Sequence, residues 1–127
     1  MARTIVIAGS GLLTLGVIHD LVNIPALLRA IARGSIATRL GRELIANVAF
    51  GGLALSFLGV LLILIARELR RGTRLAWRIG VAIGLFLAFD GVAAYLWLPV
   101  ASVLLFSAFG GMIAIPLVLW HRQFPIE

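Results

Sequence analysis

The stretch Leu75–Pro99, LAWRIGVAIGLFLAFDGVAAYLWLP, decides the fold. It runs past the ~20 residues a helix needs to cross a bilayer. Its apolar positions are continuous rather than alternating, and a helix satisfies every backbone polar group within the segment. One carboxylate, Asp90, interrupts it. A charge at that depth costs roughly 2.5–3.5 kcal/mol on insertion scales. Asp90 is therefore expected to face a bundle interior or a wet cavity, with polar company.

Outward from this segment, three more apolar runs reach spanning length. The four expected spans are 4–24, 44–66, 75–98 and 100–120. The chain has 127 residues, 62% hydrophobic and 13% charged, against typical values of about 45–50% and about 25%. A water-soluble domain of this size has too little interior to hide so much apolar surface. The reading is an all-α integral membrane protein: one domain, 1–127, folded as a four-helix antiparallel bundle.

The connections predict how the spans turn. Leu98-Pro99-Val100 leaves room only for a tight hairpin, because proline cannot continue a helix. RELRRGTR, between spans two and three, carries Gly72 as a helix stop. The longest connection, IPALLRAIARGSIATRLGREL, has Ile24, Leu27, Leu28 and Ile31 at helical spacing, with Arg29 and Arg33 off that stripe. With Pro25 at a first helical position, Pro25–Arg33 reads as a short amphipathic helix at the membrane interface. A competing reading starts span two at Ser35 as an N-cap.

Arginine placement sets the orientation. One side carries Arg3, Arg67, Arg70, Arg71, Arg74, Arg78 and Arg122; the other carries Arg29, Arg33, Arg39 and Arg42. The excess favours both termini in the cytoplasm, for a multi-pass protein of the cell's inner (plasma) membrane. The basic, apolar N-terminus is read as the first span. A signal peptide fits poorly, because His19-Asp20 stand where a small-residue cleavage site belongs. Trp77, Trp97 and Trp120 read as interfacial belt residues.

Composition also excludes functions. All eleven cationic residues are arginine, and cysteine is absent. Schiff-base lysine chemistry, thiolate nucleophiles and cysteine-ligated clusters are therefore ruled out for this chain's own side chains. The net charge of +6 is no nucleic-acid signal, since the arginines flank apolar spans and suit lipid headgroups. Gly51, Gly52, Gly59, Gly80, Gly84, Gly91, Gly110, Gly111 and Ala114 allow close helix approach. Packing within one bundle is favoured over a seam between copies. A homo-oligomer, or a place in a larger membrane complex, is still expected, because four helices bury little of their own surface.

Helix order gathers the polar residues at the first-loop end. His19 lies ~8 Å and Asp90 ~12 Å inside the expected span ends, at 1.5 Å per residue. His19 and Asn23 share a helix face, as do Glu43 and Asn47. Asp90, Ala94 and Trp97 line one face of span three, and Ser102, Ser107 and the aromatic pair Phe106 and Phe109 of span four complete a wall. The expectation is a pocket in which His19, Glu43 and Asp90 converge. Asp90, His19, Asp20 and Glu43 would be its catalytic groups. Asn23, Asn47, Tyr95, Trp97 and Phe106 would be its binding residues. A carboxylic acid held neutral beside one held ionised is an acid/base pair. Such a pair suits isomerisation, cyclisation or epoxide opening of a hydrophobic small molecule. No metal-ligand motif is present, and no cofactor is expected. No motif aligns the chain residue by residue with a known family. The alternatives are a proton-coupled transporter or channel, and a non-catalytic subunit of a membrane complex.

Overall fold

The computed structural model describes residues 2–97 and 99–124, apart from the side chains of Ser102 and Gln123. Leu98, expected to close the third span, and the terminal Glu127 lie outside the described residues. The described chain is entirely helical: α1 (Ala2–Ala32), α2 (Thr38–Arg70), α3 (Arg74–Trp97) and α4 (Leu104–Leu119), with single 3-10 turns at Ala101–Val103 and His121–Gln123. The first three are long and apolar enough to cross a membrane.

Glycine ends the first two helices in the same way. Gly34 (φ 70°) and Gly72 (φ 75°) adopt left-handed backbone, which costs a side-chain-bearing residue about 1–2 kcal/mol. After α1, Ser35 N donates to Ala30 O (3.0 Å) and Gly34 N to Ile31 O (2.9 Å); after α2, Thr73 N donates to Glu68 O (3.1 Å) and Gly72 N to Leu69 O (3.2 Å). Each set satisfies carbonyls that a helix end leaves without partners. Glu68 ties the second turn further, accepting from Arg71 Nη1 (2.8 Å) and Thr73 Oγ1 (3.2 Å).

The separate interfacial helix expected at Pro25–Arg33 does not form. Pro25 lies inside α1, where it costs one hydrogen bond to the carbonyl of Leu21. Packing offsets that loss: Ile31 fills the space beside the missing side chain of Gly41 and holds the end of α1 on α2. Ser35 does not cap α2 either. Its hydroxyl donates back to Ala30 O (2.9 Å), and α2 begins at Thr38 behind Ala37, with no side-chain cap.

The helices pair as two antiparallel hairpins. Along α1 and α2, Gly9 lies against Gly59, and Gly16 against Gly52 and Ser56. Along α3 and α4, Gly80 meets Leu117, Gly84 meets Ala114, and Gly91 meets Ser107. The glycine stripe of the third span therefore packs inside the chain. Two side chains pin α3 to α4. Ser107 Oγ donates to Ala88 O (2.9 Å), and Trp77 Nε1 donates to Leu117 O (2.8 Å). Trp77, read from sequence as an interfacial belt residue, is thus turned toward α4. It takes one of the carbonyls left open at the end of α4 and stacks on Phe124, with centroids 6.2 Å apart.

The core is lopsided. Its buried side chains are Ile5, Ala8 and Leu12 of α1, Leu62, Ile65, Ala66 and Leu69 of α2, Ala76, Ile83 and Leu87 of α3, and Ile113, Ala114 and Leu117 of α4, with Phe124 beyond. All lie toward the end that holds the Gly72 turn. Among the described residues, no hydrophobic side chain is buried beyond Leu12, before Leu62, beyond Leu87 or before Ile113. The half toward the Gly34 turn is held within each hairpin but lacks a shared core. Helix lengths add to this: α2 has 33 residues and α3 has 24. At 1.5 Å per residue, the first hairpin exceeds the second by about 13 Å.

Candidate functional site

Where the shared core stops, a cleft opens. Its cavity volume is about 240 Å³, and His19 of α1, Gly51, Ala54, Leu55 and Leu58 of α2, Phe86, Leu87 and Asp90 of α3, and Phe106 of α4 line it. Every helix contributes. Leu87 belongs both to the cleft wall and to the buried core. The lining of α2 follows from spacing: Gly51, Leu55 and Leu58 recur at four and three residues and so share one helix face. On α3, Phe86 and Leu87 precede Asp90 by one turn and sit on its face.

His19 is held in place by its neighbours. Its Nδ1 lies 3.2 Å from Asp20 Oδ1, with both side chains about a third exposed or less (34% and 27%). One turn on, Asn23 Nδ2 donates to His19 O (2.7 Å). Two glycines of α2 make room for the pair. A side chain at Gly52 would collide with the Asp20 carboxylate, and one at Gly51 would stand 3.8 Å from His19 Cε1. A carboxylate on one ring nitrogen fixes the imidazole and leaves Nε2 for other chemistry.

Asp90 is placed differently. It is solvent-accessible on the cleft wall, and among the described residues no side chain or backbone group hydrogen-bonds or ion-pairs with it. Among the described residues, no three His, Asp or Glu side chains gather closely enough to hold a metal ion.

Glu43, Asn47, Tyr95 and Trp97, also expected at the site, fall elsewhere. Glu43 does not join the cleft. It is exposed near the start of α2, 3.3 Å from Arg39 Nε one turn earlier. Asn47 is exposed on the same helix and is absent from the cleft lining. The reason is the longer first hairpin, which carries the start of α2 past the end of α3. Trp97 shares the Asp90 face of α3 but lies two turns further out, 90% exposed. Tyr95 is five residues from Asp90, which turns it well off that face, and it too is absent from the lining. Phe106 does line the cleft.

The expectation of convergence rests on depth, on the antiparallel order of the spans and on residues sharing a face within each helix. The structure places His19 and Asp90 on one cleft lining and leaves Glu43 off it. The expectation also missed Gly51, Leu55 and Phe86, which the helical spacing from His19's partner helix and from Asp90 would have supplied. No protein family, curated protein or solved structure matches this chain.

Proposed function

We propose that the chain is a multi-pass membrane protein, arranged as an antiparallel four-helix bundle, whose cleft binds a hydrophobic small molecule. His19 and Asp90 act on that molecule as acid and base. The observation that carries the reading is the pairing of one apolar cleft with two titratable side chains on separate helices.

The surface supports the membrane. The described chain exposes 8241 Å², where a compact soluble protein of 13.6 kDa exposes about 6,600 Å² by the usual mass scaling. Outward positions include Phe50, Leu53, Phe57 and Leu64 on α2 and Leu85, Phe89 and Leu96 on α3, each more than half exposed. A surface of that kind needs lipid as its solvent. With 16 residues, α4 spans only about 24 Å. The preceding 3-10 turn adds about 6 Å, enough to match a hydrocarbon core of about 30 Å.

Chemically, the Asp20-oriented imidazole supplies one proton-exchanging group and Asp90 the other. The proton leaves one and enters the other through the ligand, as isomerisation or ring opening of an apolar molecule requires. The core side of the cleft favours a pocket over a through-path: no polar or charged side chain is buried among the described residues.

Photolabelling in bilayers tests the reading. A small neutral carbene precursor, 3-trifluoromethyl-3-phenyldiazirine, is expected to label Leu55, Leu58 and Phe106 of the cleft above the outward faces. Ala54→Trp, which fills the cleft, is expected to abolish that excess. Labelling spread evenly over Phe57, Phe89 and the cleft, and indifferent to Ala54→Trp, would overturn it.

A further inference from the structure

We infer that the ligand of this cleft is a hydrophobic cation, an ammonium group on an apolar body; the inference rests on the cleft being a binding site. Three observations combine. The Asp90 carboxylate faces the cleft without a hydrogen-bond or ion-pair partner among the described residues. His19, the other titratable lining group, already has a carboxylate partner in Asp20, 3.2 Å away. The remaining side chains of the lining are apolar, and two of them, Phe86 and Phe106, are aromatic.

Charge balance then selects the ligand. No arginine lines the cleft. On α3 itself the nearest is Arg78, twelve residues before Asp90 and so about 18 Å along the helix. The cleft therefore offers a carboxyl group with no cation of the protein's own opposite it among the described residues. An anionic ligand gains nothing from a carboxylate. A neutral one gains no ion pair. An ammonium group pairs with it, and the faces of phenylalanine rings attract a cation in addition. The apolar wall formed by Ala54, Leu55, Leu58 and Leu87 takes the rest of the molecule.

The test compares two probes of one shape. Benzyltrimethylammonium and neopentylbenzene differ in a charged nitrogen against a neutral carbon. Each is titrated as a protector of the cleft residues against the photolabel described above, with the intact chain in bilayers. The cation is expected to protect at about ten-fold lower concentration than its neutral isostere, the scale of a desolvated cation contact. Asp90→Asn should erase that difference and Asp90→Glu should keep it. Equal protection by both probes on the unaltered chain overturns the cation assignment while leaving the cleft as a binding site. Failure of both probes to protect, with no excess labelling of the cleft, overturns the cleft reading and this inference together. The two probes on the unaltered chain decide the matter even where a variant fails to fold.

Discussion

Asp20 and Asp90 show how neighbours give one residue type two roles. Asp20 packs over Gly52 and holds His19; Asp90 faces a cleft with no partner among the described residues. Substitution should separate them. Asp90→Asn is expected to leave the thermal unfolding midpoint in detergent unchanged, because no native contact is lost, while abolishing the acid/base role proposed for it. A drop of several degrees would mean that Asp90 is a structural clasp. Gly52→Ala forces a methyl group into the Asp20 carboxylate and is expected to destabilise by roughly 1–3 kcal/mol, the range for overpacked sites. Trp77→Phe keeps the ring but removes the donor to Leu117 O, and should cost about 1 kcal/mol. Little of this was legible in the chain. The cost of burying Asp90 pointed to a special position, but the partner of Asp20 and the turn of Trp77 toward α4 depend on which residue faces which helix.

At the scale of elements, the two hairpin seams are built from glycine at close approach. Along α1 and α2, a side chain at Gly59 would meet the backbone of Gly9 and Leu13, whereas one at Gly111 on α4 would find only Ile115 Cδ1 at 3.7 Å. Gly59→Ala is therefore expected to destabilise by roughly 1–3 kcal/mol. Gly111→Ala should be neutral or slightly stabilising, since alanine is the better helix former by about 1 kcal/mol. Chemical denaturation of the two variants side by side reads the contrast, and equal effects would show that the seam does not govern stability. Pro25→Ala restores a helical N–H to α1 and is expected to raise the unfolding midpoint. A lowered midpoint would mean that Pro25 makes a bend the fold needs. The stop at Gly72 was readable in advance, because a left-handed cap needs glycine and the pattern breaks there. The continuity of α1 through Pro25 was not, because a proline's local penalty says nothing of Ile31 and Gly41 meeting across the hairpin.

At the scale of the molecule, the arginine excess around the Gly72 turn predicts cytoplasmic termini. Reporter fusions after residue 127 should be active only in the cytoplasm, and fusions within the Gly34 turn only on the far side; the reverse pattern would overturn the orientation. By itself, the sequence determined that the chain is helical, that it carries apolar runs long enough to cross a membrane, four as read against three such helices in the structure with α4 shorter, and where α2 stops. Those properties follow from continuous apolar runs and from glycine's backbone freedom, which act along the chain. Only the tertiary structure decided that the core is confined to one half, that the first hairpin outreaches the second, and that a cleft opens where the shared packing ends. The same arrangement put His19 and Asp90 on that cleft and left Glu43 outside beside Arg39. Depth along a helix is a one-dimensional quantity that sequence supplies. The face a residue presents, and the partner that meets it, come from how the helices pack against one another.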